Sequence, residues 1–320
     1  MVAPAQAMVT ARPDIAQGLE EFDLEANQKG FVGKKIMPVI DVDKAFGQYS
    51  KLTIQQLLRK NVDTSRANDG TYGSDQTKGS TDSYACIDHG FEERVDEREA
   101  EMYGEWWDAE LIAASMARQT VLQDYETRVV AAVNAVSNTT AANTAWSSTA
   151  SATPITNIKA ARKAIRNRTG AIANTLCLEW EAFEELKDNA QIIDRMKHQG
   201  FHDVVRENIN EAMIAAALDL EQVVVAGGLE NTKNEGQTPV LGALWPRTKA
   251  LLLVTSTSKN LKAPRWGNTF HWAQDGSTFG ESIESYEDPR RRSQMMRARA
   301  DVDEKVVYAD CAQLITGVLT

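Results

Sequence analysis

Residues 105–136, EWWDAELIAASMARQTVLQDYETRVVAAVNAV, carry the longest helical pattern in this chain of 320 residues. Apolar side chains recur at Trp107, Leu111, Ala114, Val121, Tyr125, Val129, Ala132 and Val136, close to the period that lays one face of a helix against a core. After Gly104 the stretch has no Pro or Gly, and Ser137-Asn138-Thr139 supplies a stop. Acids crowd its first turns, where the positive end of the helix dipole favours them. At ~1.5 Å per residue the predicted helix is a rod of roughly 48 Å, about three times the average helix. Such an element is a spine to which other parts attach.

Upstream the texture differs. Residues 92–110 hold nine acids, Glu92, Glu93, Asp96, Glu97, Glu99, Glu101, Glu105, Asp108 and Glu110, against Arg94 and Arg98. Before them two strand-like runs, around 49–54 and over 83–95, flank the polar, Gly-rich NVDTSRANDGTYGSDQTKGSTD of 61–82. Two strands around such a segment predict a projecting hairpin. A structureless loop of ~20 residues does not suit the inside of a compact domain, so the tip reaches away from its own. Residues 1–40 contain Pro4, Pro13, Pro38, Gly18, Gly30 and Gly33, with only the apolar pairs Phe31-Val32 and Ile36-Met37. They are a poor core candidate and read as extended backbone with occasional anchors.

Downstream, NTTAANTAWSSTASAT (138–153) reads as a small-residue polar linker and the clearest boundary in the chain. Beyond it helices alternate with short apolar strands, the pattern of an α/β module. Helix 156–169 stops at Gly170; a strand near 172–178, helix 180–188, the run NAQIIDRMK, helix 207–218, strand 222–226 before Gly227-Gly228 and strand 250–254 follow. From Glu281 the pattern returns to strands, 281–287, 294–301 and 304–309.

Apolar residues make up 42% and charged residues 25%, the balance of a soluble folded protein. The length exceeds the roughly 250–300 residues at which single cores stop growing, so two domains are expected, or chain lying outside any core. No run approaches the ~18 apolar residues of a membrane helix, and the first residues lack the basic start and apolar block of a secretory signal. With 35 basic against 45 acidic residues the net charge is −10. That argues against sequence-reading DNA binding, though not against enclosing DNA. Cys86, Cys177 and Cys311, odd in number and without a CxxC pair, read as reduced thiols.

Catalytic signatures are missing. There is no GxxxxGK[ST] loop and no GxGxxG after a strand. His198 and His202 have metal-like spacing but Gly200 between them and no HExxH glutamate, so they read as loop histidines beside His89 and His271. Alternation along a strand points Cys86 and His89 to opposite faces. The acids of 92–110 fit no EF-hand spacing. No catalytic residue, metal or cofactor is expected. Two basic clusters remain, Lys159, Arg162, Lys163, Arg166 and Arg168 on one helix, and Arg290, Arg291, Arg292, Arg297 and Arg299 on strand-like sequence. Either is a solvated surface or meets anionic charge; the density of Arg290, Arg291 and Arg292 after Pro289 favours a specific anionic partner.

The order of these parts resembles the major capsid proteins of tailed bacteriophages, with the Hong Kong 97-type fold, over nearly the whole chain. Local sequence carries the resemblance in GFVGKKIMPVIDVD (30–43), the acidic run into MYGEWWDAE (102–110), NTLCLEWEAFEELKDNAQIIDRMK (174–197), NTFHWAQDG (268–276), ESYEDPRRRS (284–293) and DEKVVYADCAQLITGV (303–318). It implies an α+β fold. Residues 1–44 would be the N-terminal arm and start of a peripheral domain, and 45–92 an extended β-hairpin loop overlapping a neighbour. Residues 93–153 would be the peripheral domain with its spine helix at about 105–136, 154–280 an α/β axial domain, and 281–320 the strands completing the peripheral sheet.

It also implies a structural protein of phage or prophage origin, not an enzyme. Such proteins form hexamers and pentamers that close into an icosahedral shell around double-stranded DNA, a virion capsid assembled in the bacterial cytoplasm. The partners implied are copies of itself, a separate scaffold protein, since no long coiled coil precedes the spine, a portal and a decoration protein. Candidate interface residues are Arg66, Asp69, Tyr72 and Lys78 on the loop, Glu92, Glu93, Asp96, Glu97 and Glu99 on the acidic belt, and Arg290, Arg291 and Arg292, which are expected to pair with the belt of a neighbour. An encapsulin-like nanocompartment shell, another virion component such as a tail-tube or decoration protein, and an enzyme with an α/β domain are the competing readings.

Overall fold

The computed structural model describes residues 10–11, 25–52, 57–58, 64–66, 68–74, 79–103, 108–198, 209–234, 236–238, 240–258, 263–273, 278–280 and 282–320. In chain order, β1 (Thr10–Ala11) precedes two short helices, α1 (Glu25–Lys29) and α2 (Gly33–Ile36), and β2 (Val39–Val42). A hairpin of β3 (Phe46–Lys51) and β4 (Ser80–Ala85) follows, then β5 (Ile87–Asp96), α3 (Glu97–Tyr103) and the spine, α4 (Ala109–Asn134). β6 (Thr139–Ala141), α5 (Pro154–Thr169), β7 (Thr175–Glu179), α6 (Trp180–Asp188), α7 (Ala190–His198), α8 (Glu211–Leu218) and β8 (Gln222–Ala226) come next. Then follow β9 (Leu229–Asn231), β10 (Leu241–Ala243), β11 (Lys249–Leu253), β12 (Gly267–Trp272), β13 (Ile283–Asp288), β14 (Ser293–Val306) and β15 (Ala312–Thr316).

The spine forms where its apolar period predicts. Asp108 caps it, its Oδ1 accepting from the N–H groups of Glu110 at 3.1 Å and Leu111 at 3.2 Å, two of the donors a helix start leaves unpaired. Ala114, Ala117, Val121, Tyr125, Val129 and Val133 line its buried face. Its 26 residues make about 39 Å at ~1.5 Å each. That is shorter than expected because the described helix begins at the Asp108 cap and ends at Asn134; residues 104–107, Trp107 among them, lie outside the described residues.

Two sheets share this helix. In the first the order is β1-β13-β14-β12-β2, with β5 also on β14. β14 is its axis, running antiparallel to β5 from Ser293↔Asp96 to Val302↔Ile87. Val95, Ile283 and Met296 of this sheet bury against Ala113 and Ala114 of α4. The second sheet runs β6-β15-β11-β7-β8, and its inner strands β15, β11 and β7 are buried on both faces and largely apolar. Leu176, Leu178, Leu251, Leu252, Leu314 and Ile315 form one core with Val129, Val130 and Val133 of α4 and with Ile158 and Ile165 of α5. α5 has Pro154 at its start and ends at Gly170, whose φ of 71° is a left-handed conformation that glycine adopts without cost.

Four sequence expectations need correction. Residues 138–153 are not a linker: 139–141 join β15 as a parallel strand, and Trp146 is 0% exposed, its backbone N–H donating to the Val318 carbonyl at 2.7 Å. Residues 32–37 are core, with Val32, Ile36 and Met37 fully buried. The division at about 280 does not match the sheets: β12 pairs with β14 and β2, whereas β15 completes the second sheet beside β11. The two strands expected at 294–301 and 304–309 are one, because Asp303 and Glu304 keep the pleat while facing β12.

Candidate assembly surfaces

The β3–β4 hairpin is rooted and not free. Tyr49 and Tyr84 flank the Phe270 ring with centroids 5.6 and 4.7 Å away, and Val307 closes the cluster. Gly47 lies under the Tyr84 ring, where a Cβ would come within 2.6 Å of its hydroxyl. Lys51 donates to Asp82 at 2.7 Å, and this bond holds the carboxyl below its usual range. Beyond the root the described apolar side chains face solvent: Leu57 is 61%, Leu58 70% and Tyr72 71% exposed. The predicted loop residues converge here. Arg66 stacks 4.8 Å over the Tyr72 ring and donates through Nε to the Gly70 carbonyl at 2.6 Å, while Asp69 takes a left-handed φ of 65° in the turn between them. Lys78 lies outside the described residues.

The acidic belt is partly consumed within the chain. Register places Arg297 opposite Glu92, and its Nε donates to Glu92 Oε1 at 2.6 Å while the Tyr286 hydroxyl donates to Oε2 at 2.9 Å. Glu284 receives Arg299 at 2.7 Å and approaches Arg297 at 3.6 Å. Asp96 accepts from the Arg98 N–H at 3.0 Å. Glu93 is half-buried and Glu97 exposed; Glu99 lies in α3, its side chain outside the description. Arg290, Arg291 and Arg292 form the turn between β13 and β14. Asp288 holds this turn by accepting from the Arg290 N–H at 3.1 Å, and Arg292 has a φ of 47°. The Arg292 carbonyl accepts the Glu97 N–H at 3.2 Å, so the arginine turn and the start of the acidic helix are neighbours in one chain. Sequence reading missed this because the two segments are some 190 residues apart; strand pairing brings them together.

A second assembly of residues had no sequence signal. Glu126 on the spine is 1% exposed and accepts three N–H groups, from Val32 at 2.9 Å, Gly33 at 2.8 Å and Trp245 Nε1 at 2.6 Å. Burial pushes its carboxyl up. A Cβ on Gly33 would meet Glu126 Oε2 at 2.7 Å, so only glycine lets the backbone come this close. Nearby, the Gly227 N–H donates to the Gly30 carbonyl at 3.1 Å, and Asn27 brackets the Leu229 backbone with bonds of 2.8 and 3.1 Å. These contacts lock 27–37 to the spine and to the second sheet at once.

A cavity of about 160 Å³ lies among Gln28, Phe31, Lys34, Arg118, Leu122, Tyr125 and Glu126, below the ~300 Å³ of typical small-molecule sites. Among the described residues no group of three or more His, Cys, Asp or Glu is placed to hold a metal ion. Burial pushes Cys86 and Cys311 up to about 11 and Cys177 well above its ordinary value, so all three stay thiols at neutral pH. His89 sits 3.7 Å from Asp124, buried His271 lies 3.2 Å from Asp41, and His202 lies outside the described residues.

No protein-family model matches the chain, and no curated protein matches it. Solved structures do. A phage-related protein from Bordetella bronchiseptica RB50 is similar with a TM-score of 0.65 at 18% identity, covering 97% of this chain and 98% of that one. The capsid of the cyanophage P-SCSP1u gives 0.59 at 10%, covering 88% and 86%. A virus-like particle from Pyrococcus furiosus gives 0.50 at 11%, covering 94% and 97%. At these identities the likeness concerns the fold. The chain has the α+β fold of phage capsid proteins, as its order of parts predicted.

Proposed function

We propose that this chain, with its phage capsid fold, is the major capsid protein of a tailed bacteriophage. It would assemble as hexamers and pentamers into an icosahedral shell around double-stranded DNA. The observation that carries the reading is that the fold is matched over nearly its whole length, at 97% and 98% mutual coverage with the Bordetella phage-related protein and 88% and 86% with the cyanophage capsid. The exposed apolar side chains support it. Phe46, Leu57, Leu58 and Tyr72 all lie on the hairpin and its loop, and apolar groups gathered on a projecting segment mark a surface meant for burial against another protein. A shell spreads its affinity over many such modest contacts, because buried area and strength are not proportional. A separate scaffold protein, a portal and a decoration protein are the further partners of this reading, with assembly in the host cytoplasm.

Likeness to the Pyrococcus furiosus virus-like particle favours a second reading, a nanocompartment shell without a genome. Particle contents decide between them. The capsid reading expects particles made alongside the neighbouring phage genes to hold nuclease-protected duplex DNA of uniform length. Particles that instead hold one enzyme in stoichiometric amount would overturn it.

A further inference from the structure

α5 presents four cations within eight residues. Lys159, Lys163 and Arg166 are exposed and Arg162 half-buried, in a strip along one flank of the face that sinks Ile155, Ile158, Ala161 and Ile165 into the core. None of the four side chains has an ion-pair or hydrogen-bond partner among the described residues. Arg290 and Arg292 of the β13–β14 turn are likewise without an ion pair among the described residues, but their backbones bond to Asp288 and to Glu97, which sets acids beside them; arginines elsewhere are held directly. Arg128 is held by Glu304, Arg195 by Asp219, Arg247 by Glu181, and Arg297 by Glu92. The next residue in the α5 series, Arg168, already lies 3.8 Å from Asp310. Dipole complementarity accounts for basic residues in the last helical turn, but Lys159, Arg162 and Lys163 stand before it.

We propose that this face of α5 is the surface the chain turns towards duplex DNA, holding backbone phosphates through sequence-independent contacts. Direction within a shell rests on the capsid reading; the contact itself rests on the strip. A row of four unpaired cations on one helix concentrates phosphate attraction in a single patch of a protein whose net charge is −10. The helix, PITNIKAARKAIRNRT, carries no aromatic residue on which unpaired bases could stack, so phosphate rows of a duplex suit it better than a single strand. The competing occupant is an acidic surface of a second copy. Its obvious source, the acidic belt, is already paired to Arg297 at Glu92 and lies beside the arginine turn of its own chain, which weakens its field.

The test titrates a fluorescein-labelled 30-base-pair duplex with the full chain, using the subunit-sized fraction from size exclusion, across a salt series. Where all the chain assembles, nuclease-protected duplex added before assembly is the readout instead. The wild type is compared with a variant carrying Lys159→Gln, Arg162→Gln, Lys163→Gln and Arg166→Gln, and with the Lys159→Gln, Lys163→Gln pair, all at solvent-accessible positions. Each phosphate contact adds about 0.9 to the slope of log affinity against log salt. The slope should therefore drop by about 3 to 4 in the fourfold variant and by about half that in the pair. Unchanged duplex binding, or no binding by the wild type, overturns the proposal. So does loss of assembly with duplex binding intact, which assigns the strip to a second copy. A chain that binds duplex through these residues yet never forms shells would support the strip and remove the capsid reading.

Discussion

Glu126 is answered by three N–H groups and, among the described residues, by no cation. Replacing it with Ala leaves those three donors buried without an acceptor, at about 1–3 kcal/mol each. Glu126→Ala is therefore expected to lose at least about 3 kcal/mol in urea unfolding and to release 27–37 to proteolysis, while Glu126→Gln, which keeps one acceptor, loses less. Its pH dependence has a definite sign. A carboxyl raised by burial binds its proton more tightly folded than unfolded, so its stabilising contribution is complete below the ordinary glutamate range and declines as pH rises through the raised value. The stability advantage of wild type over Glu126→Gln should shrink between pH 4 and pH 8 in matched melts; an advantage that grows would contradict this. None of it was legible beforehand, because two of the three donors are backbone groups more than 90 residues away and a lone glutamate on a helix ordinarily faces water. Arg66, Asp69 and Tyr72, by contrast, need only a local turn to come together.

At the scale of elements, legibility followed periodicity. The spine and α5, with Gly170 behind it, come from local pattern and capping, and both stand where that pattern puts them. Removing the spine's cap by Asp108→Ala should cost about 1 kcal/mol, visible as a drop in thermal midpoint with the spectrum of the folded state unchanged. The segment 138–153 deceived because Ser, Thr and Ala dominate it and its one anchor, Trp146, is a single large residue with no period around it. Trp146→Ala should cost about 3–5 kcal/mol, whereas a true linker would tolerate it without measurable loss in a denaturant melt. The sheets were the least legible. Which strand joins which sheet depends on pairings such as β15 with β6 and β12 with β2, and no local signal encodes those.

At the scale of the molecule, the length that exceeds a single core divides between two sheets sharing one helix and a hairpin whose outer part carries exposed apolar side chains. Those side chains are the reason to expect a neighbour. Replacing residues 53–79 by a short Gly-Ser turn keeps the Tyr49–Phe270–Tyr84 root and should leave a folded subunit, judged by its circular dichroism, that no longer forms stable particles. The most direct test of the account is electron microscopy of the purified chain in negative stain, with and without its neighbouring scaffold gene. Closed isometric particles of uniform diameter are the predicted result. Dispersed subunits or open tubes under both conditions would contradict the shell.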